Sequence, residues 1–454
     1  MNLKNLTLIS VAVVPAATLH AASRADERPN IVVILSDDMS WNSPGFNGGT
    51  VVPTPNLDRI AKEGVKMTQF YVSPVSTPTR ATLMTGRYPF RTGGEKRPHG
   101  NDTYGMRTDE RTIAEALRDA GYYTVLIGKW HLGEWYSKHL PLQRGFDHHY
   151  GFYNALIDYY NHDRDGVRDW HRNGKPLKEE GYSTFLLANE FERVVKERNK
   201  SKPFFAYVAF NAVHGPLDAP KEYLDKYNSQ KNPKYFGALE CLDMAIGQIL
   251  ATLEKENVLD NTIVIFFNDN GGTAATGNKP YRGFKGDLYE GGIRVPCVAR
   301  YPKSIPAGIT VDELTCVADF YPTLVNLAKG SLNQPLLPDG IDIFQVMTGK
   351  AKSPRKELVH WLGNKTSHTE DRAIRSGDFK LIEFSDGRAE LYNIIKDPYE
   401  TNDIAKANKD MVKTLSARLQ SLIPERREAD PSERIPGYPV RTYGEGEDAL
   451  FDAL

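Results

Sequence analysis

Four short apolar runs, "IVVIL" (31–35), "YTVLI" (123–127), "FFAYVAF" (204–210) and "TIVIFF" (262–267), constrain this chain more than any other feature. Each is dominated by β-branched or aromatic residues and is apolar at successive positions, so each reads as a strand covered on both faces. Segments with helical spacing lie between them. Pro55 to Met67 follows a Thr54 cap, and Tyr182 to Lys200 opens with Ser183 and Thr184. Tyr235 to Asn257 carries Leu239, Leu242, Ile246, Ile249 and Leu253 on one stripe. Strand–helix alternation of this kind predicts an α/β fold: a large, doubly wound, mostly parallel sheet flanked by helices. After about residue 345 the texture changes to short strands joined by Gly-containing turns, "AIRSGDFKLIEFSDGRAELYNI", then a helix near Asp410 to Leu422. We therefore expect a catalytic domain over 28–345 and a smaller α+β subdomain over 346–454, with a short antiparallel sheet and a weakly anchored tail, "EDALFDAL".

The first residues, "MNLKNLTLISVAVVPAATLHAAS", combine an early lysine, an apolar run and small residues, the pattern of a secretory signal peptide over 1–22. A periplasmic or secreted location is the corresponding expectation. No later run approaches ~20 continuous apolar residues, so no membrane span is expected. Three cysteines, Cys241, Cys297 and Cys316, sit in apolar surroundings and read as buried thiols with at most one disulfide. With 57 Lys+Arg against 58 Asp+Glu, the charge gives no reason to expect nucleic acid as a partner. An anionic substrate would have to be recognised locally.

In open α/β sheets ligands bind beyond the carboxyl ends of the strands, so the residues directly after each run matter. Run 31–35 is followed by Asp37 and Asp38; run 123–127 leads into "GKWHLG" with Lys129 and His131. Run 204–210 leads into "NAVHGP" with His214, and run 262–267 into "NDNGG" with Asp269 and Asn270. Three carboxylates and an amide oxygen form a hard donor set suited to Ca²⁺ or Mg²⁺ rather than zinc. Taken alone, "DD" reads as a solvated turn, "DNG" as a turn signal, and His214 as an ordinary loop histidine. Arg80, Lys129, His131 and Lys285 gathered near one metal would form a pocket for a sulfuryl or phosphoryl group.

The stretch "SPVSTPTRATLMTGRYP" places Ser76 just ahead of a helix-like run from Thr79 to Gly86, with Pro78 in its first turn. A nucleophile there would lie in the positive potential of a helix N-terminus. The same residues also read as a plain capping sequence.

"STPTRATLMTGRYP" resembles the signature of type I, formylglycine-dependent sulfatases, a branch of the alkaline phosphatase superfamily. Ser76, Pro78, Thr79, Arg80, Leu83, Thr85, Gly86 and Arg87 fill it in order, and "PNIVVILSDDMSW", "GKWHLG", "HGP", "NDNGG" and "GFKGDLYEGGIRVP" extend the match over Pro29 to Pro296. The resemblance implies that Ser76 is converted to formylglycine by a maturation enzyme, and that the hydrate attacks sulfur. A hemiacetal sulfate can then expel sulfate by collapsing to the aldehyde, which a serine sulfate cannot. It further implies Asp37, Asp38, Asp269 and Asn270 as ligands of one Ca²⁺, with Mg²⁺ second. Arg80 and Lys129 would steady the hydrate, His131 would act as base or orienting partner, and His214 and Lys285 would bind sulfate and help protonate the leaving oxygen. Two positions depart from the family pattern: Ser76 stands where Cys is commoner, which makes activity depend on maturation of serine, and Thr79 replaces Ser or Ala.

The segment 151–174, "GFYNALIDYYNHDRDGVRDWHRNG", mixes Tyr, Trp, Asp and Arg in the manner of sugar-binding loops, and reads equally as a packed surface insertion. With "FNAVHGPLDAPKEYLDKY" it is similar to the N-acetylgalactosamine-4-sulfatase branch and its bacterial polysaccharide-sulfatase relatives. The implied partner is a sulfated oligo- or polysaccharide, first a 4-O-sulfated galactose-type unit of a marine galactan such as carrageenan, next chondroitin or dermatan sulfate. His99, His162 and Arg282, in polar loops beside the matched motifs, are candidate substrate contacts. A phosphoester or phosphonate hydrolase of the same superfamily, and a silent glycan binder with unmodified Ser76, are the competing readings. Two-zinc members need further His and Asp ligands that the sequence does not offer as a set.

Overall fold

The computed structural model of the protein describes residues 28–95, 104–134, 137–164, 166–363 and 370–430; the leader at 1–22, His99 and the acidic tail lie outside them. A ten-stranded sheet forms the main body. In chain order its strands are β1 (Asn30–Ser36), β2 (Val65–Met67), β3 (Tyr123–Lys129), β4 (His148–Phe152), β5 (His171–Arg172), β6 (Lys175–Pro176), β7 (Phe204–Ala209), β8 (Thr262–Asn268), β9 (Cys297–Arg300) and β10 (Ile309–Val311). Across the sheet they lie in the order β10, β2, β9, β8, β1, β7, β3, β4, β5, β6. The central strands β8, β1, β7, β3 and β4 are parallel to one another. Antiparallel pairs flank them on both sides. The four apolar runs are four of these central strands, and β4, "HHYGF", is the one whose histidines and glycine broke the apolar pattern.

Alternate side chains of β1 enter different cores. Ile31, Val33 and Leu35 pack with Leu83 and Met84 of α2 (Ser76–Thr85) and with Leu324. Val32 and Ile34 pack with Leu57 of α1 (Pro55–Lys62), Leu187 of α3 (Ser183–Glu197) and Ile246 of α4 (Pro233–Lys255). Burial on both faces is why the runs carry no polar alternation, and each such side chain contributes roughly 1.5–3 kcal/mol. Helix α4 is long and apolar enough to cross a membrane, but 67% of its most apolar window is buried, which marks it as a core helix.

The helix expected over Pro55 to Met67 is corrected: it stops at Lys62, and Val65–Met67 is a strand between β9 and β10. Gly64 permits this, since a Cβ there would meet the Ala299 carbonyl oxygen at 1.9 Å, so the chain can press against β9. The Thr54 hydroxyl does not cap α1; it accepts from the Gly45 N–H. Asp243 of α4 caps instead, taking the N–H groups of Leu57 at 2.9 Å and Asn56 at 3.2 Å. The three cysteines are buried free thiols.

The C-terminal sheet is antiparallel, in the order β11 (Glu357–Gly363), β12 (Glu370–Ser376), β13 (Phe379–Glu383), β14 (Ala389–Asn393). Helix α5 (Lys409–Leu422) covers one face, packing Leu415 and Leu419 on Ile374, Leu381 and Leu391. On the other face Ala373, Ile382 and Tyr392 meet Leu288 of the larger unit. A buried polar knot joins this sheet to the larger unit. Lys380 of β13 pairs with Glu290 at 3.0 Å and Glu400 at 2.8 Å, and the Tyr71 hydroxyl donates to Glu290 at 2.7 Å.

Candidate active site

Because β1, β7, β3 and β8 are parallel, the segments leaving their carboxyl ends meet on one edge. Ser36 and Asn268 are register partners, so Asp37 and Asp269 leave neighbouring strands side by side. Helix α2 aims its first turn at the same point, with Ser76 as its first residue after the extended Val75.

Arg80 ties these elements together. One turn into α2 and wholly buried, its Nε donates to Ser76 Oγ at 2.8 Å, and its Nη2 donates to Asp37 at 3.1 Å and Asp269 at 2.9 Å. Its Nη1 reaches the Tyr207 hydroxyl of β7 at 3.2 Å and, more weakly, the Lys129 carbonyl at 3.4 Å. Lys129 Nζ lies 2.5 Å from the same Asp37 oxygen. His131 Nδ1 stands 3.5 Å from Ser76 Oγ, with its Nε2 3.1 Å from Thr77 Oγ1. The Ser76 hydroxyl is thus engaged by Arg80 and His131 rather than by the helix N–H groups. On the outer side Lys285 Nζ contacts Asp38 at 2.6 Å, and His214 Nε2 lies 3.7 Å from the other Asp38 oxygen. Asn270 donates its amide to Asp38 at 2.8 Å.

The Lys285 loop is pinned from three directions. The N–H of Lys285 donates to Gly272, that of Gly286 to Pro74, and Gly286, with φ +92, takes a backbone conformation suited to glycine. Arg282 holds the loop to the C-terminal unit through the Tyr392 hydroxyl at 2.9 Å and the Glu400 carbonyl at 3.0 Å.

Three buried oxygens in this edge, Asp37 Oδ1, Asp269 Oδ1 and Asn270 Oδ1, make no hydrogen bond. Unpaired buried acceptors are costly, and carboxylate and amide oxygens of this kind are the donors a Ca²⁺ or Mg²⁺ ion takes. Asp38 supplies a fourth residue: it, Asp37 and His214 each offer an atom within 4.8 Å of the others. The oxygen set fits a hard cation better than a site built on His214. Burial pushes both inner carboxyls up; Lys129, His214 and Arg80 pull Asp37 well below the usual range, while Asp37 itself helps keep Asp269 above it. Burial, with Arg80 and Lys285 nearby, lowers Lys129 to about 8 against the pull of Asp37.

The structure therefore brings together Asp37, Asp38, Ser76, Arg80, Lys129, His131, His214, Asp269, Asn270 and Lys285. Of the three candidate substrate contacts, His99 lies outside the described residues. His162 is buried, stacked on Trp170 at 4.6 Å with Nε2 3.1 Å from the Gly181 carbonyl. Arg282, besides its bonds to the C-terminal unit, lies over the Tyr289 ring at 3.9 Å. Tyr207 and Thr77 were missed by sequence reasoning; the only polar side-chain group in "FFAYVA", the Tyr207 hydroxyl, was the available signal for the first.

Known proteins resemble this chain over most of its length. A family model described as Sulfatase matches residues 29–331, and one described as N-sulphoglucosamine sulphohydrolase, C-terminal, matches 284–427. The chain is 31% identical to Arylsulfatase J of Mus musculus over 88% of its length and 76% of that protein. It is 33% identical to N-acetylgalactosamine-6-sulfatase of Homo sapiens, covering 72% and 67%. The crystal structure of Ps i-CgsB in complex with k-i-k-neocarrahexaose superposes with a TM-score of 0.83 at 31% identity, over 88% of this chain and 94% of that one.

Proposed function

Because this chain belongs to the sulfatase family and is a sulfuric ester hydrolase, we propose that it removes sulfate from a 4-O-sulfated galactose-type unit of a marine galactan such as carrageenan, using formylglycine at position 76 and one Ca²⁺. The observation that carries the reading is the convergence of Ser76 Oγ, Arg80, Lys129 and Lys285 beside three unpaired oxygens on one sheet edge. The likeness to Ps i-CgsB, described in complex with k-i-k-neocarrahexaose, supports a carrageenan over chondroitin or dermatan sulfate. The pattern at 1–22 supports export to the periplasm or beyond, where such polymers are met.

Asp37, Asp38, Asp269 and Asn270 would hold the Ca²⁺, which when bound would offset the sulfate charge. Formylglycine would supply, as its hydrate, a hydroxyl to attack sulfur and an aldehyde to return to. Arg80 fixes the side chain at 76 by its Nε, so the attacking oxygen is aimed before substrate arrives. His131, 3.5 Å from that oxygen, is placed to take its proton. Lys129, buried against Asp37, and Lys285, held on Asp38, present positive charge where negative charge develops. His214, 18% exposed and on the outer side of Asp38, is placed to give a proton to the departing sugar oxygen.

The test is sulfate release from carrageenan, chondroitin and dermatan oligosaccharides, with the mass of the Ser76 peptide taken from the same sample. Release from carrageenan with a peptide about 2 Da lighter than serine predicts upholds the proposal. Release from chondroitin alone moves the substrate, and no release with intact serine leaves a glycan binder.

A further inference from the structure

Beside the His214 loop the structure holds a cavity of about 290 Å³, walled by Tyr160, His162, Asp163, Arg168, Lys178 and Glu180. It lies beyond the carboxyl end of β4, the strand next to β3 in the parallel set, and so on the same edge as the site. Its wall is joined to the site through aromatic residues. The Tyr159 hydroxyl donates to the carbonyl of His214 at 3.0 Å and of Asn211 at 3.3 Å. Tyr182 stacks on Tyr159 with centroids 5.2 Å apart, meets Tyr160 at 5.4 Å, and donates to the Asp218 carbonyl at 2.9 Å. The His214 loop and the Tyr160 wall of the cavity thus share the Tyr159–Tyr182 pair.

We propose that this cavity is a second sugar subsite, which binds the pyranose adjoining the unit whose sulfate is cleaved. The inference rests on the sulfated-glycan reading of the active site. Three features carry it. The volume is at the small end for ligand sites, the scale of one ring rather than a chain. Tyr160 is 40% exposed although its ring is tilted against that of Tyr182, so an aromatic side chain with one side supported lines the cavity. The lining pairs carboxylates, Asp163 and Glu180, with cations, Arg168 and Lys178, matching a ligand that carries both hydroxyl donors and a further sulfate. His162 belongs to this cavity as part of its floor, stacked on Trp170, and not as a contact to the reacting sulfate.

The subsite makes chain length the readout. Sulfate release is measured on the shortest sulfated unit cleaved and on a hexasaccharide of the same polymer, for the unsubstituted enzyme and for Tyr160→Ala, Arg168→Ala and Lys178→Ala, with melting temperatures alongside. The unsubstituted enzyme is expected to have a lower KM for the hexasaccharide. Tyr160→Ala and Arg168→Ala should raise that KM about tenfold, leaving the short substrate within about twofold. Lys178→Ala, at an exposed position, should act in the same direction without altering melting. Tyr160→Trp should restore the preference. Equal losses on both substrates, or none on either, overturn the subsite while leaving the sulfatase reading intact, as does an unsubstituted enzyme without length preference. An unsubstituted enzyme that releases no sulfate from any glycan overturns the substrate reading, and the subsite with it.

Discussion

Arg80 donates to Ser76, Asp37 and Asp269 from one fully buried side chain, so its loss would strand two carboxylates without their shared donor. Arg80→Ala should cost about 3–5 kcal/mol of stability as well as activity, read from the denaturant midpoint. Arg80→Lys should not restore the site, because an ammonium cannot reproduce the branched donor geometry. Lys285 and His214 differ: with side chains 23% and 18% exposed they carry little of the fold. Lys285→Ala or His214→Ala should lower kcat/KM at least about a hundredfold with melting within a degree or two, and near-normal turnover of either would contradict its part in binding sulfate and protonating the leaving oxygen. The unpaired oxygens of Asp37 and Asp269 make a separate prediction. Ca²⁺ at about a hundred times its Kd should stabilise the chain by about 2.7 kcal/mol, and a chelator should remove the gain. In Asp37→Asn or Asp269→Asn calorimetry should find the ion bound far more weakly.

Among the elements, the knot between β13 and the larger unit is open to a pH test. Burial raises the Glu290 carboxyl, but Lys380, Arg294 and Arg375 outweigh it and hold the group below its ordinary 4.5. A carboxyl depressed in the folded state contributes stability that is complete above about pH 4.5 and is lost as pH falls below it. Glu400, which pairs with the same Lys380 and which burial pushes up to about 7, acts in the opposite sense and costs stability as pH rises from about 4.5 to 7. The Glu290 effect is therefore read below pH 4.5, where acid melting curves should steepen and Glu290→Gln should flatten that limb. Four of the five central strands and their polar ends were legible in sequence because two-sided burial leaves an unbroken apolar run with the candidate site residues directly after it, whereas the histidines and glycine of β4 hid the fifth. Strand β2 was not: Val65 and Met67 carry on an apolar pattern that fits one more helical turn, and only the contact of Gly64 with Ala299 decides otherwise. Asp243 as the cap of α1 was equally hidden, since a cap supplied from 186 positions away leaves no local pattern. The ring of Trp170 that stacks on His162 and the Tyr392 hydroxyl that accepts from Arg282 left no local pattern either.

For the whole molecule, the C-terminal unit holds the loop that carries Lys285 and is no mere appendage. Arg282, three residues before Lys285, is bonded to Tyr392 and Glu400, and Lys380 neutralises Glu290. A chain ended before Glu357 would leave Glu290 buried beside fewer cations and the Lys285 loop without its anchor. Such a truncation should be proteolysed quickly and inactive, and full activity from it would contradict this dependence. The enclosure of Ser76 has a consequence in time. Only 4% exposed and wrapped by Arg80 and His131, its side chain is out of reach of any other protein once the sheet edge has closed. The proposed conversion at position 76 thus belongs to the newly made chain, and folding sets its deadline: a molecule that closes first is sealed in the serine form for as long as it stays folded.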